Sequence, residues 1–236
     1  MSAYPIFTGQ LKDIDLTKKN VINTINQYSY CIAEKDFDFR EALQKSDVLL
    51  PDGIGITLSY RFLHGKTIKK IAGADLHYFL LNELNTTNGS CFYLGSSTKT
   101  LELIEQKLKG EYPNIRFGSY SPPFKQKFTN EDNSKMINTV NVFKPDVLFI
   151  GMTAPKQEKW VHQNKENLSV NIIGSIGAVF DFYAGTVERP GKIWIQLGLE
   201  WFIRLLKEPK RMWKRYLYYG PVFIGLVIRE KLRGSR

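Results

Sequence analysis

Short apolar runs recur along the chain, and small or turn-forming residues follow each of them. The runs cover residues 48–50, 91–94, 147–150 and 170–173, and continuous runs of this length are typical of buried parallel strands. Helix-like segments at 76–84, 98–108 and 134–143 lie between them. This alternation predicts an α/β fold that is Rossmann-like, with a mostly parallel sheet flanked by helices. Residues 119–133 are predicted to form a surface loop.

The segments that follow the predicted strands are the places to look for a binding site. In open α/β sheets, ligands bind at the carboxyl ends of the strands. The four segments are 51–55, 95–98, 151–158 and 174–177, and each is rich in glycine or polar residues. We therefore expect a ligand site at one edge of the sheet. Candidate substrate-binding positions in these segments are Gly53, Gly95, Gly151, Gln157, Glu158 and Gly177.

Two of these segments allow both a chemical and a purely structural interpretation. Asp52 stands between an apolar strand and a glycine, where a carboxylate could act as a general base or could make only the local hydrogen bond of an Asp-Gly turn. Residues 153–160 read as a helix start with Thr153 as the N-cap. Its free N–H groups could receive a phosphate, or the segment could be an ordinary capped helix.

Several motifs that would indicate other mechanisms fail on inspection. Residues 185–192 resemble a Walker A loop, but Pro190 occupies the place of the second glycine. The pairs Asp13/Asp15 and Asp36/Asp38 match the loose Asp-x-Asp pattern of metal-dependent glycosyltransferases. The second pair opens a helix-like stretch at 36–43, and the first precedes an apparent helix cap. The histidines lack metal-ligand spacing. We expect no metal site.

Length and charge divide the chain unevenly. Its 236 residues, 43% of them hydrophobic, suffice for one main domain and an appendage, which we predict at 1–194 and 195–236. Residues 201–236 contain ten lysines or arginines and two glutamates, so they hold +8 of the net charge of +10. An anionic partner for this segment is therefore expected.

The composition of the C-terminal segment favours a membrane surface as that partner. Its cations alternate with tryptophan and tyrosine, and an apolar run follows at 222–228, a combination that suits an anionic membrane interface. Pro209 and Gly220-Pro221 are expected to break the segment into short helices. Two alternatives stay open: a basic helix that packs on the domain with solvated charges, and a site for single-stranded nucleic acid.

Other features favour a cytoplasmic protein. Residues 1–9 show no charged segment followed by an apolar run, so no secretory signal is expected. No apolar stretch reaches the length needed to span a bilayer. Cys31 and Cys91 are far apart and form no disulfide framework. We expect a protein that is cytoplasmic and peripheral on the inner face of the membrane.

The order and spacing of several motifs resemble the WecG/TagA/CpsF family of bacterial glycosyltransferases. The resemblance covers most of the chain, and it is carried by residues 24–26, 39–43 with 51–55, 73–76, 151 with 155–160, 177–185, 198–201 with 204, and 208–216. Two departures are Arg189-Pro190-Gly191 in place of the usual Arg-Ala-Pro, and Thr153-Ala154 in place of a Gly-Ser type pair. These departures bear on donor choice more than on chemistry.

The resemblance implies an inverting transfer that requires no metal or other cofactor. The sugar would be N-acetylmannosamine from a UDP donor, and the acceptor an undecaprenyl-diphosphate-linked sugar in cell-surface polysaccharide or teichoic acid biosynthesis. N-acetylmannosamine uronic acid, glucose, mannose and glucuronic acid stay open as the transferred sugar, and so does assembly into a homo-oligomer. A basic membrane- or nucleic-acid-binding protein without catalysis is the alternative of another class.

The resemblance also assigns roles to individual positions. Asp52 falls on the family's proposed catalytic base, and Thr24, Asn26 and Gln157 fall on pocket positions. The basic appendage, which closes over the site and meets the membrane, contributes Arg204, Arg211 and Arg215. Gly73, Asp75 and Asp181 lie in the matching stretches and complete the candidate substrate-binding set.

Overall fold

The core of the protein is a sheet of six parallel strands. A computed structural model describes residues 1–188, 190–191, 193–194 and 199–234, with only the backbone of Arg211. The strand order is β2-β1-β6-β5-β3-β4, and each neighbouring pair is parallel. The strands are β1 (Asn20–Ile25), β2 (Val48–Pro51), β3 (Ser90–Gly95), β4 (Arg116–Tyr120), β5 (Val147–Gly151) and β6 (Ile172–Ser175). The predicted α/β, Rossmann-like class is confirmed.

The strand predictions were right for three strands, displaced for one and missing for two. β2, β3 and β5 contain the predicted runs. The fourth run, 170–173, was displaced by two residues, because Val170 is buried in the core before strand pairing begins at Ile172. Gly174 therefore belongs to β6 and not to the loop that follows it. β1 and β4 were not predicted.

Helices surround the sheet, and several of them begin at side-chain caps. Asn26, Asp36, Ser97 and Thr129 each accept a hydrogen bond from the backbone N–H three residues later, which satisfies a donor that the helix itself leaves unpaired. The helices are α1 (Gln27–Ala33), α2 (Phe37–Gln44), α3 (Ile54–His64), α4 (Gly73–Thr87), α5 (Thr98–Glu111), α6 (Asn130–Phe143), α7 (Lys156–Asn164), α8 (Val179–Ala184), α9 (Glu200–Lys207), α10 (Pro209–Trp213) and α11 (Tyr219–Gly234).

Three helix boundaries differ from the sequence predictions. α6 begins at Asn130, so the predicted loop at 119–133 is shorter and its first two residues belong to β4. α7 begins at Lys156 after Pro155, and Thr153 makes no side-chain cap. Gly220 and Pro221 lie inside α11, so the break expected there was wrong; the turn before them changes the hydrogen-bond register, with the Tyr219 N–H donating to the carbonyl of Lys214. A π-helical turn (Lys214–Tyr218) joins α10 to α11.

The side chains of the strands alternate between two buried layers. Tyr93 and Phe149 pack on one face of the sheet with α4, α5 and α8. Phe92 and Leu148 pack on the other face with α6 and α7. A second cluster on that face combines α1, α3 and α11. The division predicted at 194/195 adjoins residues 195–198, which lie outside the described residues.

The C-terminal helix is built into this second cluster. Tyr219, Phe223 and Val227 of α11 are buried against Ile25 and Tyr30. The ring of Phe223 meets that of Tyr30 edge to face, with 5.4 Å between centroids. Among the described helices, none has the length and apolar character required to cross a membrane.

Candidate active site

The turn after β2 carries Asp52 and is held on both sides. The Asp52 N–H donates to the carbonyl of Ile25 at 2.9 Å, and the carbonyl of Pro51 accepts from the N–H of Ile71 at 3.0 Å. Asp52 itself is half-buried. The turn is therefore tied to the end of β1 and to the segment before α4, which fixes the carboxylate at the carboxyl edge of the sheet.

The residue after Asp52 requires glycine. Gly53 has φ +112°, a conformation that side-chain-bearing residues rarely adopt, and a Cβ there would lie 3.1 Å from Oε1 of Gln27. The Gln27 side chain also lies against Gly55, where a Cβ would overlap it. Gln27 therefore covers the turn that carries Asp52. The sequence analysis did not select Gln27; its only signal was its position directly after Asn26.

Thr24 on β1 and Asn26 directly after β1, two of the predicted pocket positions, differ in their local interactions. Asn26 Oδ1 accepts from the Ser29 N–H at 3.0 Å as the N-cap of α1, so this oxygen is already engaged in local structure. Thr24 pairs with Leu50 and lies on the same face of the sheet as Ile22. It is half-buried, whereas both of these neighbours are fully buried. The hydroxyl-bearing residue is thus at the open end of this face.

Gln157 and Glu158 form a buried pair at the start of α7. Gln157 Oε1 accepts from the N–H of Met152 at 3.2 Å, and its Nε2 donates to Glu158 Oε1 at 2.9 Å. These bonds fix the orientation of the Gln157 amide and leave it one N–H donor. A Cβ on Gly177 would lie 3.4 Å from Gln157 Oε1, so the turn after β6 adjoins this pair.

The Glu158 carboxyl is buried and only one of its oxygens is hydrogen-bonded within the described residues. Its Oε2 has no hydrogen-bond partner among the described residues. Burial raises the pKa of Glu158 to about 7, against the opposing effects of the hydrogen bond from Gln157 and the positive charge of Arg215. A substantial fraction of this carboxyl is therefore protonated near neutral pH.

The C-terminal segment brings cations to the same edge. Burial raises the pKa of the Tyr216 phenol; Arg204 and Arg215 lower it, while the carboxylates of Glu200 and Asp52 raise it further. These four charged groups therefore lie within electrostatic range of one phenol. Tyr216 belongs to a matching stretch of the sequence, but its position within electrostatic range of Asp52 depends on how the C-terminal segment packs on the main body.

Stacking on aromatic rings holds the two arginines. The Arg204 guanidinium lies 5.5 Å from the ring centroid of Phe182, and that of Arg215 lies 4.5 Å from the centroid of Tyr28. Arg204 Nε is buried and has no hydrogen-bond partner in the part of the chain that the structure describes. An N–H donor in this state is suited to an anionic oxygen of a ligand.

One ion pair links this C-terminal segment to the main body. Lys70 Nζ lies 2.8 Å from Glu200 Oε2, and both side chains are largely buried. Lys70 is in the segment before α4, and Glu200 is the first residue of α9. Neither residue was selected from the sequence, because no local pattern marks a contact across 130 positions.

Several candidate positions serve local structure. Gly95 has φ +125°, and a Cβ there would overlap the carbonyl of Gly151, so these two glycines let β3 and β5 approach closely. A Cβ on Gly73 would lie 3.5 Å from the backbone of Ile176, at ordinary van der Waals distance. Asp75 is exposed and accepts from the N–H of Ala72 at 2.8 Å.

The backbone places two further candidates in helices. Asp181 lies in the first turn of α8, where its backbone carbonyl accepts from the N–H groups of Thr186 and Val187. The backbone of Arg211 belongs to α10, and its side chain lies outside the described residues. Arg189 also lies outside them.

The two Asp-x-Asp pairs are engaged in local structure. Asp15 accepts from Thr17 and pairs with Lys18. Asp36 caps α2 and pairs with Lys159 at 2.9 Å. The helix cap expected after Asp15 was wrong, because β1 follows. The described residues contain no group of three histidine, cysteine or acidic side chains with the spacing of a metal site.

Comparison with known proteins gives a consistent result. The family model described as "Glycosyl transferase WecG/TagA/CpsF family" matches residues 7–236. An N-acetylglucosaminyldiphosphoundecaprenol N-acetyl-beta-D-mannosaminyltransferase of Bacillus subtilis (strain 168) is 32% identical, over 89% of this chain and 80% of the relative. Proteins of the same name are 26% identical in Bacillus spizizenii, over 94% and 84%, and 24% identical in Staphylococcus aureus (strain MW2), over 82% and 73%.

Proposed function

We propose that this chain, which belongs to the WecG/TagA/CpsF family of glycosyl transferases, transfers N-acetylmannosamine from a UDP donor to undecaprenyl-diphosphate-linked N-acetylglucosamine. The names of the relatives from two Bacillus species and Staphylococcus aureus support this choice of sugar and acceptor. The reaction would serve cell-surface polysaccharide or teichoic acid biosynthesis.

The observation that carries the proposal is that Asp52 and two arginines of the C-terminal segment act electrostatically on the same side chain. Asp52, Arg204 and Arg215 all lie within electrostatic range of the Tyr216 phenol. A transferase that releases a nucleoside diphosphate needs a base for the acceptor hydroxyl and positive charge for the leaving group. Here the base, Asp52, and the positive charge of Arg204 and Arg215 come from distant parts of the chain.

In the proposed mechanism, Asp52 accepts the proton of the acceptor hydroxyl. That oxygen forms a bond to the anomeric carbon from the face opposite the diphosphate, and the bond between the anomeric carbon and the diphosphate oxygen breaks with its electron pair on UDP. One displacement inverts the configuration. The half-buried position of Asp52 beside Gly53, at the carboxyl edge of the sheet, supports this role.

The diphosphate that departs needs compensation for its negative charge. We assign this to Arg204 and Arg215, each stacked on an aromatic ring, and to Arg211 by its position in the sequence. The remaining N–H donor of Gln157 would bind a donor oxygen. With this cationic set, we propose that transfer requires no metal ion.

The acceptor is a lipid, so the enzyme has to work at a membrane surface. We propose that residues 195–236 provide peripheral contact with the anionic inner face of the cytoplasmic membrane. The exposed tryptophan Trp213 and the cations Lys210 and Lys214 support this assignment, since aromatic and basic side chains favour the headgroup region.

The test is release of UDP from a panel of UDP- and GDP-sugars, with and without the lipid-linked N-acetylglucosamine, in EDTA and in Mg²⁺. Acceptor-dependent turnover of UDP-N-acetylmannosamine in EDTA is expected. Turnover of the uronic acid, glucose, mannose or glucuronic acid donor instead would replace the sugar in the proposal. Dependence on Mg²⁺ would overturn the metal-independent step.

Asp52→Asn tests the catalytic base. General base catalysis commonly contributes about 10² to 10⁴ in rate, and we expect a loss of this size in kcat with an unchanged thermal midpoint. Asp38→Asn is the matched control, because Asp38 is an exposed carboxylate on α2. Normal activity of the Asp52→Asn protein would remove Asp52 from this role.

A further inference from the structure

The outward face of α3 carries an apolar stripe beside the candidate active site. Ile54, Leu58 and Phe62 follow at intervals of four residues, which places them on one face of the helix. All three are exposed, with 58% of Leu58 and 52% of Phe62 accessible to solvent. The stripe begins two residues after Asp52 and extends for about 12 Å along the helix.

The neighbouring helix α11 has a matching stripe. Ile224, Ile228 and Leu232 are also spaced by four residues and exposed. Both helices pack their opposite faces on the same buried cluster, through Ile56 of α3 and Phe223 of α11. The two stripes therefore both face away from this cluster.

Direct contacts join the two helices between the stripes. Lys231 Nζ of α11 donates to the carbonyl of Leu63 at 3.3 Å and lies 5.7 Å from the ring centroid of Phe62. The stripes thus lie on two helices in contact, and we call their six apolar side chains together the α3/α11 face. Exposed apolar side chains that are grouped in this way mark an interaction site more often than scattered surface residues do.

The charge around this face indicates the chemistry of its partner. Residues 53–74 contain four lysines or arginines and no acidic residue. Arg61 and Lys66 are exposed next to the α3 stripe, and Arg229 and Arg233 are exposed next to the α11 stripe. Apolar side chains bordered by cations complement a bilayer, with its acyl chains beneath anionic headgroups.

We propose that the α3/α11 face docks on an anionic lipid bilayer, with α3 as a second contact surface beside the C-terminal segment. This inference deepens the proposed function, on which it rests for the choice of a lipid surface. Because α3 follows directly from the Asp52 turn, insertion of Ile54 and Leu58 holds the catalytic edge at the headgroup layer, where the diphosphate of a lipid acceptor lies. Docking then positions the carboxylate as well as recruiting the protein.

The test measures flotation of the full chain with vesicles of phosphatidylcholine alone or with phosphatidylglycerol, at low and high salt. For Leu58→Ser/Phe62→Ser we expect at least about tenfold weaker binding to the phosphatidylglycerol vesicles, because two large apolar side chains no longer insert. Phe124→Ser/Val142→Ser is the matched control, since both residues are exposed outside α3 and α11. It should bind as the unaltered protein does.

A second measurement does not depend on a loss of binding. Both cysteines, Cys31 and Cys91, are buried, so an environment-sensitive dye on Leu58→Cys labels that position selectively. We expect a blue shift of its emission on phosphatidylglycerol vesicles and no shift from the same dye on Val142→Cys. The absence of a shift at position 58 overturns the inference.

Two further outcomes separate the alternatives. Unchanged vesicle binding by Leu58→Ser/Phe62→Ser, with a change from dimer to monomer in solution, overturns the inference in favour of a contact between copies of the chain. With a short-chain, water-soluble acceptor, this variant should turn over normally. Failure of the unaltered protein to turn over any donor overturns the proposed function, whereas the vesicle result tests the α3/α11 face by itself.

Discussion

Replacing Glu158 with glutamine tests the electrostatics of the candidate site through folding stability. Burial raises the pKa of this carboxyl from 4.5 to about 7. Gln157 Nε2 donates to Glu158 Oε1, and the amide oxygen of a glutamine accepts the same bond. Glu158→Gln therefore removes the titration and keeps the shape and the hydrogen bond.

The sign follows from the direction of the pKa change. Because the pKa is higher in the folded than in the unfolded protein, the stability associated with this group is fully present below pH 4.5 and is lost as the pH rises through about 7. Each pH unit in this window changes the free energy of unfolding by about 1.4 kcal/mol. The total loss is about 3 kcal/mol.

The measurement is urea unfolding of both proteins between pH 4 and pH 8. The difference in the free energy of unfolding, variant minus unaltered protein, should be constant below pH 4.5, rise by about 1.4 kcal/mol per pH unit, and become level above pH 7. Glu166→Gln, at an exposed position near the end of α7, gives the effect of removing a solvated carboxylate. A difference that stays constant from pH 4 to pH 8 would refute the reasoning.

The comparison of the variant with the unaltered protein is needed because the titration of His77 changes stability with pH in the opposite direction. Burial, together with a smaller effect of the positive charge of Lys107, lowers the pKa of this imidazole from 6.5 to about 3. A depressed pKa gives stability that is present above about pH 6.5 and lost as the pH falls towards 3. Between pH 4.5 and 6.5 the two groups offset each other, so the unaltered protein by itself would show little slope from this pair.

Two further predictions concern packing and the link to the C-terminal segment. Gly151→Ala should lower the free energy of unfolding by about 1–3 kcal/mol, because the added methyl group overlaps the Phe180 ring. Gly174→Ala, whose methyl group makes only ordinary contacts, should be tolerated. Equal midpoints of the two variants in urea unfolding would contradict this prediction. Lys70→Met should lower kcat/KM by up to about fivefold, because it removes the ion pair with Glu200. Lys70→Arg keeps the positive charge and should restore activity. An equal loss in both variants would argue against a role of the ion pair.

The two strands that were not predicted, β1 and β4, lack the continuous apolar run that marks the others. β1 contains Asn23, which is buried in the middle of the strand and donates to Ser46 Oγ at 2.9 Å. A buried polar residue whose amide N–H bonds to a partner on another element looks like an interruption of the strand in the sequence. β4 is an edge strand whose residues, from Arg116 to Tyr120, are exposed or half-buried, so it shows no apolar run.

The site was predictable where it depends on the ends of strands and not where it depends on packing between elements. Asp52 and Gln157 follow β2 and β5, and the carboxyl ends of parallel strands share one edge. Gln27 covers Gly53 because α1 and the β2 turn meet side by side, a contact that no spacing encodes. The roles of these residues stay predictions until activity is measured.

The geometry of the site depends on the anchoring of its cationic half. Arg215 stacks on Tyr28, and the ring of Tyr219 meets the same tyrosine edge to face at 5.1 Å. Tyr28 belongs to the first turn of α1, next to Gln27 on the Asp52 turn. A chain of packed residues thus connects Arg215 to the turn that carries Asp52. The C-terminal segment therefore contributes to the geometry of the site as well as to the proposed membrane contact. Deleting residues 195–236 would uncover the cluster of Ile25 and Tyr30 as well as remove the arginines. Loss of activity on truncation would therefore not separate charge from stability, and substitutions of single side chains can.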